Sequence, residues 1–136
     1  MAHEIKLLEA PFIAENVMAE KYVGVELGTS AGQVDLPDGN NDKIIGIIQN
    51  TVDAVGKSVN VCVAGITKAV ANAAITKGDY LVAVVTTGRL ATAPAISSTW
   101  TGTAASTEHI IAIALEAAGT GGDIISVLLR PMLLAH

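Results

Sequence analysis

Apolar and polar positions alternate with a period of two along much of the chain, the pattern of strands with one buried face. Val23, Val25 and Leu27 alternate with Gly24 and Glu26, and Val59, Val61 and Val63 alternate with Asn60 and Cys62. This predicts a strand over 22–27 and, after a turn at Gly28 to Gly32, a short one over 33–36. A hairpin is expected from Ile44 to Ala64, turning around Asp53 and Gly56. A strand over 80–85 returns through Thr87, Gly88 and Arg89 into 90–93, and a second long hairpin joins 110–117 to 124–129 through a glycine-rich turn. Residues 65–74 are alanine-rich and fit either a helical turn or a strand. Residues 1–20 mix apolar and charged side chains without a clean period and include Pro11. They read as an N-terminal arm ahead of a single β domain over 21–136, and the fold class expected is all-β.

The two long hairpins are related. A gapless shift of 66 positions carries Ile44, Ile45 and Ile47 onto Ile110, Ile111 and Ile113. The same shift carries Gly56 onto Gly122, and Val59, Val61 and Val63 onto Ile125, Val127 and Leu129.

Composition narrows the core and the partners. The 136 residues are 51% hydrophobic but only 3% aromatic, so the core is expected to be thin and built of Val, Ile, Leu and Ala. The net charge of −5, with no cluster of Lys or Arg, argues against a nucleic-acid partner. No apolar run approaches the roughly 20 residues of a membrane-crossing helix. With Cys62 as the single cysteine there is no intrachain disulfide, and the residue reads as a small, half-buried strand position.

Candidate chemistry is sparse. Asp38, Asn40 and Asp42 have the odd-position spacing of a calcium loop, but Lys43 and Gln49 stand where the loop's glycine and closing glutamate belong, so a turn is expected. Gly56, Lys57 and Ser58 resemble the end of a phosphate loop, yet Thr51 replaces its first glycine and a strand follows where a helix is needed. His3, His109 and His136 are scattered, and no serine sits in a nucleophile elbow. Glu108 and Glu116 flank one predicted strand about 27 Å apart at a strand's rise per residue, too far for a carboxylate pair. No catalytic residue, metal or cofactor is therefore expected. Two aromatic positions remain: Phe12 on the arm, placed either over the domain's own core or against another subunit, and Trp100 in a small-residue polar loop, either a lid or a contact point.

The order and spacing of several motifs over 22–129 carry a family resemblance. They are Ile45-Gly46-Ile47, the Asp53 to Gly56 turn before Val59-x-Val61-x-Val63, Ile75-x-x-Gly78-Asp79-x-Leu81, the Gly88 hairpin, and Ile113 to Ala117 with Gly121-Gly122 before Ile125-x-Val127-x-Leu129. In these features the chain resembles the capsid decoration, or cement, proteins of tailed phages, although Ala112 stands where that family often has glycine. The resemblance implies a small β-barrel or β-tulip-like domain, made in the host cytoplasm, that binds the outside of an assembled head. It implies the major capsid protein as partner, and self-association as a homotrimer or other homo-oligomer. On that reading the arm, through Leu7, Leu8, Phe12 and Ile13, and the loop holding Trp100 make the intersubunit contacts, and the arm is removable without loss of the fold. A tail or head-spike component of the same virion and, further off, a nucleotide- or ligand-binding domain are the alternatives.

Overall fold

In the computed structural model, which describes residues 4–38, 44–93 and 107–135, the chain is all-β. The strands among the described residues are β1 (Ile5–Ala14), β2 (Gly24–Leu27), β3 (Gln33–Asp35), β4 (Ile44–Ile48), β5 (Ser58–Val70), β6 (Tyr80–Ala83), β7 (Leu90–Thr92), β8 (Thr107–Ala114) and β9 (Ile124–Ala135). They form one sheet in the order β1-β3-β2-β4-β5-β9-β8-β6-β7. Because β1 also pairs antiparallel with β5, the first five strands close into a ring. The remaining four make a second circuit with the far end of β5, closed by one parallel bridge between Ala71 and Leu90.

The two circuits are copies of one another. Shifting by 66 carries the β4–β5 pairs, Ile47 with Cys62 and Ile48 with Val61, onto the β8–β9 pairs, Ile113 with Leu128 and Ala114 with Val127. The relationship seen in the two hairpins extends to the rest of the chain with a different offset. A shift of 57 carries Ala14 and Met18 onto Ala71 and Ile75, and each keeps its hydrogen bonds: Ala14 N–H to Lys57 O becomes Ala71 N–H to Asp123 O, both near 2.9 Å. The reciprocal bridge of Met18 with Val52 becomes that of Ile75 with Ala118. A shift of 56 carries the β2–β3 pairs onto the β6–β7 pairs, Leu27 with Val34 onto Ala83 with Leu90. Strand β5 belongs to both copies, closing the first and opening the second.

Each circuit encloses its own core at matching positions. The first is lined by Met18, Val25, Val34, Ile48, Val52 and Val59, and the second by Ile75, Leu81, Leu90, Ala114, Ala118 and Ile125. Volume is exchanged rather than conserved site by site: Ile48 and Val52 shrink to alanines, while Val25, Val34 and Val59 grow to Leu81, Leu90 and Ile125. Cores tolerate this when total volume and patterning are kept.

Several expectations change in detail. The stretch 65–74, open between helical turn and strand, is strand up to Val70 and then bridges to β7. The strand expected over 80–85 ends at Ala83, because Val84 N–H turns back to Arg89 O at 2.8 Å. The N-terminal stretch is extended, as an arm would be, but it lies along β5 and its last residue, Ala14, is fully buried in the first core. Removing residues 1–15 would therefore take a wall out of the first ring.

Candidate partner-binding surface

Among the described residues most of the large exposed apolar side chains lie on the first copy, with Tyr80 and Ile124 on the second. Along β1, a bulge sits between Lys6 and Leu8 and the register shifts again between Leu8 and Glu9. In a regular strand consecutive residues face opposite sides; here the irregularity leaves Leu7 and Leu8 both outward, 78% and 55% exposed, with Ile5 exposed beside them. Opposite them Gly65 has φ of +105°, and a Cβ there would meet the backbone of Ile5 and Leu7. Only glycine lets β1 cross this closely.

One edge of this stretch carries no strand among the described residues. Ala14 N–H donates to Lys57 O on the β5 side, whereas Ile13 N–H donates to Gly32 O on the β3 side, both at 2.9 Å. Alternation then puts the backbone of Pro11 and Glu9 on the β3 side, but β3 pairs only with Ile13 and Ala14. The missing N–H of Pro11 faces this open edge, the position in which a strand tolerates proline.

A second group of exposed apolar residues lies on the segments that close one end of the first ring. It comprises Ile13, Val17, Leu27 and Val55, with Val17, Leu27 and Val55 exposed by 49%, 61% and 64%. These segments are tied together: Gly56 N–H donates to Ala14 O, and the Glu15 carboxylate accepts from Thr29 N–H at 3.1 Å, which holds it below its ordinary pKa. The equivalent positions of the second copy carry Val70, which is buried, and Ala74, Ala83 and Gly121. At these four sites the exposed bulky apolar side chains belong to the first copy; on the second copy the described residues expose Tyr80 and Ile124.

Charges around both surfaces are mostly satisfied locally. Burial alone would lower the Lys6 ammonium, but Glu4 and Glu9, at 3.4 and 3.6 Å, hold it above the usual lysine range. Lys57 ion-pairs with Asp53 at 2.6 Å, pulling that carboxyl below its ordinary value. This pair, the φ of +89° at Gly56 and the strand that starts at Ser58 make Gly56-Lys57-Ser58 a β-turn closure with no helix behind it. Asp123 does the corresponding work in the second turn, accepting from Gly119 and Thr120 N–H. Arg89 makes a two-pronged pair with Glu20 at 2.8 and 2.9 Å, across the seam between the copies.

Of the residues singled out in the sequence, Leu7, Leu8 and Ile13 are exposed on β1, while Phe12 is half-buried against the first core. Trp100 lies outside the described residues, as do the calcium-like positions 40 and 42. Cys62 is fully buried rather than half-buried, and burial pushes its thiol up. Among the described residues no three His, Cys, Asp or Glu side chains come together as a metal site, and no helix is long and apolar enough to cross a membrane. Val17 and Val55 escaped the sequence reading because each sits beside a turn, where no periodicity marks it; Leu27 continues the alternation of Val23 and Val25 but is exposed, because β2 ends there at the Gly28 turn.

No protein-family model and no curated protein matches the chain. Among solved structures it is similar to the N base of the head fiber protein gp8.5 of bacteriophage phi29, with a TM-score of 0.57 and 15% identity. The match covers 95% of this chain and 98% of the other. At that identity the likeness is one of fold.

Proposed function

We propose that this protein is a structural component of a phage virion that sits on the outer surface of the head and stabilises the shell, as a capsid decoration protein does. The observation that carries the reading is the fold shared over nearly the whole chain with a head fiber base, found in a molecule in which, among the described residues, most of the exposed large apolar side chains lie on one of two matching halves. Ile13, Val17, Leu27 and Val55 are the contact set for the major capsid protein, since apolar residues grouped on a surface mark interaction sites. The protein works by mass action: it binds the mature lattice better than the immature or ruptured one, and the difference, multiplied over many copies, holds the mature state.

The test is co-sedimentation of the purified chain with DNA-filled heads lacking it, together with the temperature at which those heads break. Saturable binding with a raised breaking temperature supports the reading. Absence of binding at near-physiological salt removes it and moves the assignment to another virion position, such as the tail.

A further inference from the structure

The seam between the copies gathers positive charge without a counter-charge. Among the described residues Lys6, Lys57 and Arg89 each meet a carboxylate, as suits a chain with a net charge of −5. Lys21, Lys68 and Lys77 have no carboxylate within ion-pair distance. Two of these three are far apart in sequence, yet the Lys21 and Lys68 ammonium groups lie 5.2 Å and 5.8 Å from the centre of one ring, that of Tyr22. The carboxylate next to Lys21 in the chain, that of Glu20, is taken up by Arg89 through bonds of 2.8 and 2.9 Å. The third lysine, Lys77, is the counterpart of Lys21 at a shift of 56, and Gly78 follows it where Tyr22 follows Lys21. The duplication thus shows the same lysine with the ring and without it.

The ring is not there for the backbone's sake. Tyr22 and Gly78 are both left-handed, with φ of +65° and +92°, a conformation that glycine takes freely and a side chain does not. The second copy makes the same turn with glycine, so the tyrosine is a departure in search of a cause, and such departures cluster at functional sites. Its position is fixed on both sides: Tyr22 N–H donates to Ile48 O and Tyr22 O accepts from Val70 N–H, both at 2.9 Å. Lys68, two residues before Val70, is held in the β5–β9 ladder opposite Ser126. The π face attracts each ammonium, while the two ammoniums repel one another, and no carboxylate among the described residues relieves them.

We infer that Lys21 and Lys68, gathered by the Tyr22 ring, form a binding site at the seam for an oxyanion, the carboxylate or phosphate group of a ligand. Such a group supplies the negative charge that both ammoniums lack and accepts a charge-assisted hydrogen bond from each. The ring's part is positional, since it brings to one place two lysines that the chain holds on different segments.

This inference stands apart from the shell-binding reading and is tested without heads. The full chain, isotope-labelled for NMR, is titrated with sodium phosphate and separately with sodium acetate, with sodium chloride keeping the ionic strength constant. The amide signals of Tyr22 and Lys68 should shift saturably with at least one of the two, while that of Lys77, the lysine without a ring, stays in place. The anion with the lower midpoint tells phosphate from carboxylate. Lys68→Gln, with the β-sheet spectrum unchanged, should raise the midpoint about tenfold, and Lys77→Gln should leave it where it was. Tyr22→Leu, which keeps apolar bulk and removes the π face, should weaken binding although both lysines remain. The proposal is overturned by the absence of a saturable shift with either anion, by an equal shift at Lys77, or by an unchanged midpoint in Lys68→Gln or Tyr22→Leu.

Discussion

The two copies follow one backbone path with different side chains, and the differences sort into interior and surface. Inside, they compensate in part. Where the first copy places Ile48 and Val52 the second has Ala114 and Ala118, and much of the lost volume is made up by Leu81, Leu90 and Ile125 in place of Val25, Val34 and Val59. Outside, the copies expose different sites: Val17, Leu27 and Val55 face solvent where the second copy has Ala74, Ala83 and Gly121, and the second copy exposes Tyr80 and Ile124 where the first has Gly24 and Ser58. Packing explains the first kind of difference. The second has no internal cause, which is why it reads as an interface.

The backbone shows a similar split. Tyr22, with φ of +65°, occupies the position of Gly78, with φ of +92°. Both donate N–H to the matching carbonyls, Ile48 O and Ala114 O, so the left-handed turn is required by the path. The first copy fills it with a tyrosine whose ring packs against both cores and lies 5.2 Å and 5.8 Å from the ammonium groups of Lys21 and Lys68. Contacts at the seam hold a conformation that is uncommon for a side chain larger than glycine.

The largest effects should come from the cores. Met18→Ala and Ile75→Ala occupy equivalent buried sites, and each should cost about 2–5 kcal/mol. Because β5 is a wall of both rings, guanidinium denaturation followed by circular dichroism should show one transition moving in each variant. Two transitions, with only one moving, would mean that the halves are stable separately.

The equivalent glycines Gly32 and Gly88 come next, with φ of +79° and +72°. A Cβ at Gly32 meets nothing within 4 Å, but one at Gly88 runs into the carbonyl of Gly24 and the side chain of Val23. Gly32→Ala should cost only the left-handed penalty of about 1–2 kcal/mol, and Gly88→Ala measurably more in the same denaturation assay. Equal costs would mean that the seam yields easily.

A smaller effect is expected in acid. Glu116 accepts from Ser126 N–H at 2.7 Å, and this bond holds its carboxyl below the ordinary 4.5. A carboxyl with a depressed folded pKa contributes stability that is complete above its unfolded value and is lost as pH falls through the folded one. Melting temperature should therefore drop below about pH 4.5, and Glu116→Gln should flatten part of that slope. The smallest effect belongs to the half-buried Glu20–Arg89 pair: Glu20→Gln should shift the melting point slightly, and the shift should shrink further in high salt.

Much of this was legible in the chain, for reasons that can be named. The hairpins declared themselves because β-branched runs repeat at a constant offset of 66, with Gly56 and Gly122 fixing both turns at φ near +90°. The rest of the duplication was hidden because its offset falls to 57 and then 56 where Tyr22 is reached, so no gapless shift reveals it. Strand β5 answers to two patterns at once, closing one core with Val59 and Val61 and lining the other with Ala69. Of the alanines that left 65–74 open between helix and strand, Ala69 and Ala71 are small residues of that second core, while Ala73 and Ala74 are exposed. The arm showed no period because the bulge at Leu7 and the edge proline at Pro11 break the alternation. Of the candidate contacts on β1, Leu7, Leu8 and Ile13 are exposed, and Phe12 turns toward its own core.

The most direct measurement of the account is shell binding by two single variants at equivalent exposed positions, Val17→Asp in the first copy and Ala74→Asp in the second. Titrated onto DNA-filled heads, Val17→Asp should lose most of its binding while Ala74→Asp binds like the unmodified chain. Equal binding by both, or loss only with Ala74→Asp, would contradict the claim that the apolar end of the first copy is the face that meets the shell.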